Sequence, residues 1–161
     1  MKNIFTKLVV LFLLLLASNI SYAIELKDFP DLKKGAWQTS TDHRAGKLRL
    51  CTSDASSKAI FKSIEKQYSH GGKDCLSEYA KEKDSYLIHS KCKTFIGIGT
   101  ISATSNISGD FEKKFTVKAE IKKEGQKKIG ITDSEKYDKQ IWEFKGGCKP
   151  NESTNVVYQV Y

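Results

Sequence analysis

The amino-acid sequence predicts a mainly β fold with one α-helix, in which an antiparallel meander sheet forms a barrel or half-barrel fastened by two disulfides. Three observations predict it. Segments of alternating apolar and polar residues recur along the chain between turn-forming residues. One segment has the spacing of an amphipathic helix. Four cysteines follow an N-terminal leader of the secretory type, and disulfides form in exported proteins.

The first 23 residues have the three parts of a cleavable signal peptide. Lys2 and Lys7 supply positive charge, residues 8–17 are an unbroken apolar run, and Ser21-Tyr22-Ala23 places small residues where signal peptidase binds them. The apolar run is shorter than the roughly 20 residues of a membrane-spanning helix. We therefore expect cleavage after Ala23 and a periplasmic or secreted protein. An uncleaved N-terminal anchor is the alternative.

Residues 24–161 are expected to form a single β-rich domain, since 138 residues are a usual size for one domain. Without the leader, 25 basic and 19 acidic residues remain, so the domain has a net charge of +6. After position 23 the sequence has no other apolar run of spanning length, so we expect no membrane span once the leader is removed.

Two short strands are predicted first, after a charged and irregular stretch at 24–34. Residues 35–41 and 47–51 are expected to flank a turn at 42–46. In the second strand Leu48 and Leu50 alternate with charged residues, which indicates one buried face.

A helix is predicted next, with Ser53 or Ser56 as its cap and Gly71-Gly72 as its end. Its apolar residues form one stripe, which we expect to pack on the sheet rather than in a partner's groove. The stripe comprises Ile60, Phe61, Ile64 and Tyr68.

Segments 75–80 and 85–92 predict a hairpin that turns at Lys83-Asp84. Residues whose numbers sum to 167 are then partners, which places Tyr79 opposite Ile88 and Cys75 opposite Cys92. Directly opposed residues lie about 4.5–5.5 Å apart, which is a separation that a disulfide can bridge.

The four cysteines are expected to form two disulfides rather than a metal site, because no C-x-x-C pair supplies neighbouring ligands. The hairpin register predicts Cys75–Cys92, which leaves Cys51–Cys148. A bridge between Cys51 and Cys75, clamping the helix between its ends, is the alternative.

A second hairpin is predicted around Gly109, with partners that sum to 218, so that position 107 faces 111 and position 103 faces 115. The odd positions of 111–121 are apolar and the even ones are charged or polar, which assigns the odd positions to the core. Glu124-Gly125 is then expected to turn the chain into a strand at 128–132. Further strands are expected at 140–145 and 155–161.

The order of these features resembles the exported bacterial family called domain of unknown function 3617, from about residue 29 to residue 150. This chain has Lys34 where the family usually has Pro, and it continues past the last cysteine through 151–161. The resemblance implies a small periplasmic protein of mixed β structure, and it implies no activity and no functional residues. Its motifs are Gly35-Ala36-Trp37-Gln38, Leu50-Cys51, Cys75, Cys92, Ser108-Gly109-Asp110-Phe111 and Gly147-Cys148.

The sequence lacks the common signatures of catalysis and of cofactor binding. His43, His70 and His89 are not spaced as metal ligands, and no G-x-S-x-G motif occurs. No helix is predicted to follow Gly97-Ile98-Gly99, so these glycines are interpreted as close packing or a bulge in a strand. We therefore expect no cofactor, no metal and no enzyme activity.

The lysines are the remaining signal for a partner. They concentrate around one predicted sheet region and are candidates for contact with an anionic surface. The alternative is a solvated strand face that lysine protects from edge aggregation. Nucleic acid is not expected as a partner, because aromatic residues are not interleaved with the lysines. The candidates are Lys113, Lys114, Lys118, Lys122 and Lys128.

These expectations combine into an exported, non-catalytic binding or accessory module of the cell envelope. Its partner is not identified by the sequence, and anionic envelope components are the candidates. One alternative is a carrier or sensor of a small apolar ligand inside the barrel-like sheet. Another is an enzyme whose acidic residues meet only in space.

Overall fold

The computed structural model describes residues 22–40, 47–53, 58–70, 72–125, 127–154 and 156–160, without the side chain of Lys128. Of the predicted leader it describes Tyr22 and Ala23. These ranges contain nine strands, the helix α1 (Ala59–Tyr68) and two 3-10 helices, Leu26–Asp28 and Lys127–Ile129. The strands are β1 (Tyr22–Ile24), β2 (Gly35–Thr39), β3 (Lys47–Thr52), β4 (Gly72–Lys81), β5 (Tyr86–Thr94), β6 (Thr100–Gly109), β7 (Lys114–Glu124), β8 (Ser134–Phe144) and β9 (Val157–Val160).

The strands form a single sheet in the order β1-β4-β5-β6-β7-β8-β2-β3-β9, and every neighbouring pair is antiparallel. Strands β4 to β8 are a meander of consecutive hairpins. In the part of the chain that the structure describes, the two edge strands, β1 and β9, do not pair with each other, so the sheet is open. The predicted mainly β class is confirmed. No helix in the described ranges is long and apolar enough to cross a membrane.

The core lies between α1 and one face of the sheet. The predicted stripe is buried, and it joins the sheet's aromatic residues in one hydrophobic cluster. Phe115 is at the centre of this cluster, with ring centroids 5.3 Å from Trp37 and 5.9 Å from Trp142. Each such fully buried side chain contributes about 1.5–3 kcal/mol. The 24–34 stretch adds Phe29, whose ring packs 4.9 Å from Phe61.

The predicted capping of α1 is wrong. Lys58 is the N-cap residue and makes no side-chain capping bond, and Ser56 lies outside the described residues. The Lys58 ammonium instead donates to the carbonyl of Phe29 and pairs with Asp31, which fixes the start of the helix against the preceding segment. At the other end, Ser69 donates its hydroxyl to the carbonyl oxygen of Glu65 at 2.9 Å.

The predicted register of the β4–β5 hairpin is confirmed, with Tyr79 opposite Ile88. Both predicted disulfides are present, so the alternative Cys51–Cys75 bridge is wrong. The Cα atoms lie 4.1 Å apart in Cys75–Cys92 and 5.7 Å apart in Cys51–Cys148.

The predicted register of the β6–β7 hairpin is wrong, because the pairs sum to 224 rather than 218, as in Ile107 opposite Val117. The Asp110 carboxylate accounts for the difference. Its Oδ1 accepts backbone N–H bonds from residues 112, 113 and 114 at 2.7–3.0 Å, which stabilises a longer loop. The loop turns Phe111 inward with a φ of 56°. Because the shift is an even number, the odd positions of β7 still face the core.

The strand expected at 128–132 is also wrong. A 3-10 helix occupies Lys127–Ile129, and the chain turns at Gly130, which has a φ of 78°. Strand β8 is longer than expected, since the charged residues from Ser134 onward pair with β7 along its whole length. The expected C-terminal strand is confirmed as β9, which pairs with β3.

Candidate functional site

The polar side chains between α1 and the sheet are engaged with one another. Glu65 of α1 accepts hydrogen bonds from the hydroxyl of Ser77 at 2.6 Å and from that of Tyr79 at 2.9 Å. Burial and the neighbouring Glu65 raise the pKa of Tyr79 to about 12. These bonds fasten α1 to β4.

A second chain of bonds fastens α1 to β8. The Tyr68 hydroxyl donates to Oδ2 of Asp138 at 2.7 Å. Within β8, Gln140 donates its amide N–H to the same oxygen at 3.4 Å, and Trp142 donates its indole N–H to Gln140 at 3.2 Å. Burial, together with the Asp138 carboxylate, raises the pKa of Tyr68 well above its usual range. The carboxylates of Glu65 and Asp138 thus connect the helix to the sheet.

A bidentate ion pair lies on the opposite face of β3, because Arg49 alternates with the core residues Leu48 and Leu50. Nε and Nη2 of Arg49 donate to the two carboxylate oxygens of Glu152 at 2.7 and 3.1 Å. The Glu152 side chain is only 2% exposed, and Tyr158 and the backbone N–H of Lys149 also donate to it. The Arg49 bonds outweigh burial and lower the pKa of Glu152 to about 2.

One Glu152 oxygen lies within 4.8 Å of the sulfur atoms of Cys51 and Cys148, and these sulfurs are joined as a disulfide. Metal binding by cysteine requires the thiolate. We therefore interpret this cluster as a fastening of the segment after β8 onto β3.

The five candidate lysines do not form a compact patch. Lys113 and Lys114 lie where β7 begins, Lys118 is in its middle, and Lys122 is near its other end. At about 3.4 Å per residue, Lys114 and Lys122 are about 27 Å apart. Lys128 lies in the second 3-10 helix, and its side chain is outside the described part of the structure.

Acidic residues interleave with these lysines. Lys114 lies 3.9 Å from Glu143, and Lys122 contacts both Glu120 and Glu135. These two carboxylates raise the pKa of Lys122. The exposed face of β7 is therefore only weakly basic.

The histidines lie apart. His89 is hydrogen-bonded to Thr104 through Nδ1 at 2.9 Å and lines an open depression of about 690 Å³ at the β1–β4–β5 edge. His70 lines another, of about 420 Å³, between α1 and β9. His43 is outside the described residues. The two histidines that the structure describes, His70 and His89, thus lie in different depressions.

One end of the sheet, which we call the loop end, comprises residues 72–76, 91–100, 122–125 and 127–136. The β5–β6 and β7–β8 loops meet there, because Thr100 of β6 pairs with both Lys93 and Glu124. The loops are in contact, since a Cβ atom built on Gly125 would lie 3.1 Å from the Cα atom of Gly99. The loop end holds eight lysines and four acidic residues, a net charge of +4.

The loop end also exposes apolar side chains that the sequence interpretation missed. Phe95 is 78% exposed and Ile96 is 55% exposed. Gly97 and Gly99 form a turn with φ values of 77° and 85° rather than the predicted strand packing. The signal available in the sequence was an apolar run interrupted by glycines between two strands. The other exposed apolar residues of these loops are Ile98, Ile129 and Ile131.

Comparison of the chain with protein-family models, curated proteins and solved structures found no match. The resemblance to domain of unknown function 3617 stays a prediction.

Proposed function

We propose that this chain is an exported, non-catalytic module that binds an anionic component of the cell envelope through its loop end. The charge of that end carries the proposal. Its net charge of +4 is two thirds of the +6 of the predicted domain, although it has only 29 of the domain's 138 residues. Phosphate and carboxylate groups are the anions that such a surface would bind.

Several loop-end lysines remain available to a partner. Lys93 pairs with Asp74, and Lys127 pairs with Asp133. Among the residues with described positions, no ion partner is found for Lys73, Lys91, Lys123 or Lys136, and all four are exposed. Each lysine near an anionic surface contributes about 1 kcal/mol of binding free energy.

Export is supported by the predicted secretory leader and by the two disulfides, which persist in oxidising compartments. Binding at the surface, rather than carriage of a ligand inside the sheet, is supported by the filled interior. Trp37, Phe61 and Phe115 have no measurable exposure, and Trp142 is 1% exposed.

The test is equilibrium binding to anionic vesicles, to neutral vesicles and to dextran sulfate, each at low and at high salt. We expect Lys91→Gln/Lys123→Gln to weaken anion binding about 30-fold, since two lysines contribute about 2 kcal/mol. The matched control is Lys114→Gln/Lys118→Gln, which removes two positive charges from the part of β7 that lies away from the loop end. This control should bind as the unmodified protein does.

Binding should also weaken as salt rises, because the Debye length falls from about 10 Å at 0.1 M to about 3 Å at 1 M. Equal affinity for anionic and neutral vesicles, together with no affinity for dextran sulfate, would refute the proposal. A larger loss in the control than in the loop-end variant would move the site to the face of β7.

A further inference from the structure

Phe95 and Ile96 of the loop end project from a turn in which several backbone groups are already hydrogen-bonded. Thr94 donates its hydroxyl to the carbonyl of Ile98 at 2.6 Å. The N–H of Gly97 donates to the carbonyl of Thr94 at 2.8 Å, and the N–H of Thr94 donates to that of Gly99 at 3.2 Å. A backbone polar group left unpaired in an apolar medium costs several kcal/mol, and these bonds reduce that cost for the turn.

The β5–β6 turn is held rigidly from below. The Cys75–Cys92 disulfide joins β4 to β5 two residues before Thr94. Gly72 packs against Cys92 so closely that a Cβ atom there would lie 2.4 Å from the cysteine Cβ. The disulfide and this close packing restrict the backbone at the base of the turn, which lowers the entropic cost of ordering the turn against a partner.

Lysines lie next to the exposed apolar side chains of these two loops. The Lys73 ammonium lies 3.9 Å from where a Cβ atom on Gly97 would be, which places a positive charge directly behind the β5–β6 turn. Lys123 and Lys127 flank the adjoining β7–β8 loop. Exposed apolar side chains beside lysines suit a lipid leaflet with anionic headgroups, because rings and branched chains enter the acyl boundary while lysines extend to the phosphates.

We propose that the loop end is a bilayer-docking surface, at which Phe95 and Ile96, together with Ile129 and Ile131 of the adjoining β7–β8 loop, enter the interfacial layer of an anionic lipid leaflet. This inference rests on the proposed function and names its partner as a membrane. A second copy of the chain is the less suitable occupant, because two loop ends facing each other would oppose two net charges of +4.

The docked orientation follows from the sheet. The strands run between the loop end and the opposite end, where the β4–β5 turn and the loop before β7 lie. Lys113 and Lys114 are then about 30 Å from the headgroups, about three Debye lengths at 0.1 M salt. They are predicted to make no contact with the membrane.

Tryptophan emission tests insertion directly. The two native tryptophans, Trp37 and Trp142, are at most 1% exposed, so contact with a membrane should leave their emission unchanged. In Phe95→Trp, we expect a blue shift on vesicles of phosphatidylglycerol and phosphatidylcholine, and quenching by lipids brominated on their acyl chains. Val156→Trp, at another exposed apolar position, should show neither change.

Partitioning onto the same vesicles provides the second measurement. Phe95→Ser/Ile96→Ser should bind at least tenfold more weakly than the unmodified protein, since both side chains lose burial in the leaflet. Val156→Ser should bind normally. Binding of the double variant to dextran sulfate should be unchanged, because that contact needs only the lysines.

The outcomes separate the two proposals. Docking would be overturned if the serine variant retained salt-sensitive binding and lipid did not quench the tryptophan introduced by Phe95→Trp. The proposal of an anionic partner would then still stand. Absence of binding to vesicles and to dextran sulfate would overturn both. Docking would also be overturned if the protein did not bind vesicles but formed a concentration-dependent dimer that the serine variant abolished. Phe95 and Ile96 would then belong to a contact between two copies of the chain.

Discussion

Replacing Glu152 with glutamine should destabilise the protein at neutral pH and abolish much of its sensitivity to acid. The carboxylate is almost fully buried and accepts hydrogen bonds from Nε and Nη2 of Arg49, from the hydroxyl of Tyr158 and from one backbone N–H. Glutamine offers one acceptor oxygen in place of two and leaves the Arg49 charge without its counterion. Breaking a buried pair in this way costs about 3–5 kcal/mol.

The pH dependence follows from the pKa of Glu152, which falls from an ordinary value of 4.5 to about 2 in the folded protein. A carboxyl group whose folded pKa is depressed stabilises the fold above its unfolded pKa, and that stabilisation is lost as pH falls through the folded pKa. A difference of this size corresponds to about 3 kcal/mol. The unmodified protein should therefore lose about that much stability between pH 4.5 and pH 2, in addition to losses from other carboxylates.

The assay is urea unfolding at pH 6, 4, 3 and 2, followed by the emission of the buried tryptophans. Glu152→Gln should start lower and decline less steeply with acid than the unmodified protein. Glu143→Gln is the matched control, since Glu143 pairs with Lys145 on the exposed surface and should change little. Parallel decline of the unmodified protein and Glu152→Gln below pH 4.5 would refute the reasoning.

Two further predictions concern the core and the disulfide beneath the loop end. Phe115→Lys should abolish folding, because burying an unpaired ammonium costs several kcal/mol and the free energy of unfolding of a protein is only about 5–15 kcal/mol. Lys118→Ala should change the thermal midpoint little. Equal thermal midpoints for the two variants would contradict the assignment of faces in β7. Cys75→Ser/Cys92→Ser should lower the free energy of unfolding by about 3 kcal/mol, because a bridge across a loop of this length restricts the unfolded chain by about that much. An unchanged urea midpoint would exclude this contribution.

The local patterns in the sequence predicted which residues face the core. Alternation along 111–121 assigned Phe115 and Val117 to the buried side, and both are fully buried. The four-residue spacing assigned the buried stripe of α1 in the same way. These features were predictable because side-chain direction depends only on the period of the local backbone.

The disulfides were predictable for a related reason. A tight turn at Lys83-Asp84 determines the partners on both strands, so Cys75 and Cys92 become neighbours through short-range geometry, and Cys51–Cys148 is the remaining pair. The β6–β7 register failed because one carboxylate, Asp110, stabilises a longer loop than the glycine beside it suggested.

The sequence by itself therefore determined the fold class, the buried faces and the cysteine pairs, all of which depend on periodicity and on near neighbours along the chain. Only the tertiary structure decided where the candidate site lies. Gly99 and Gly125 are far apart in sequence, and their loops meet because β6 pairs with both β5 and β7. Strand β7 separates Lys113 and Lys114 from Lys122, although all three are close in the sequence, because an extended strand rises about 3.4 Å per residue.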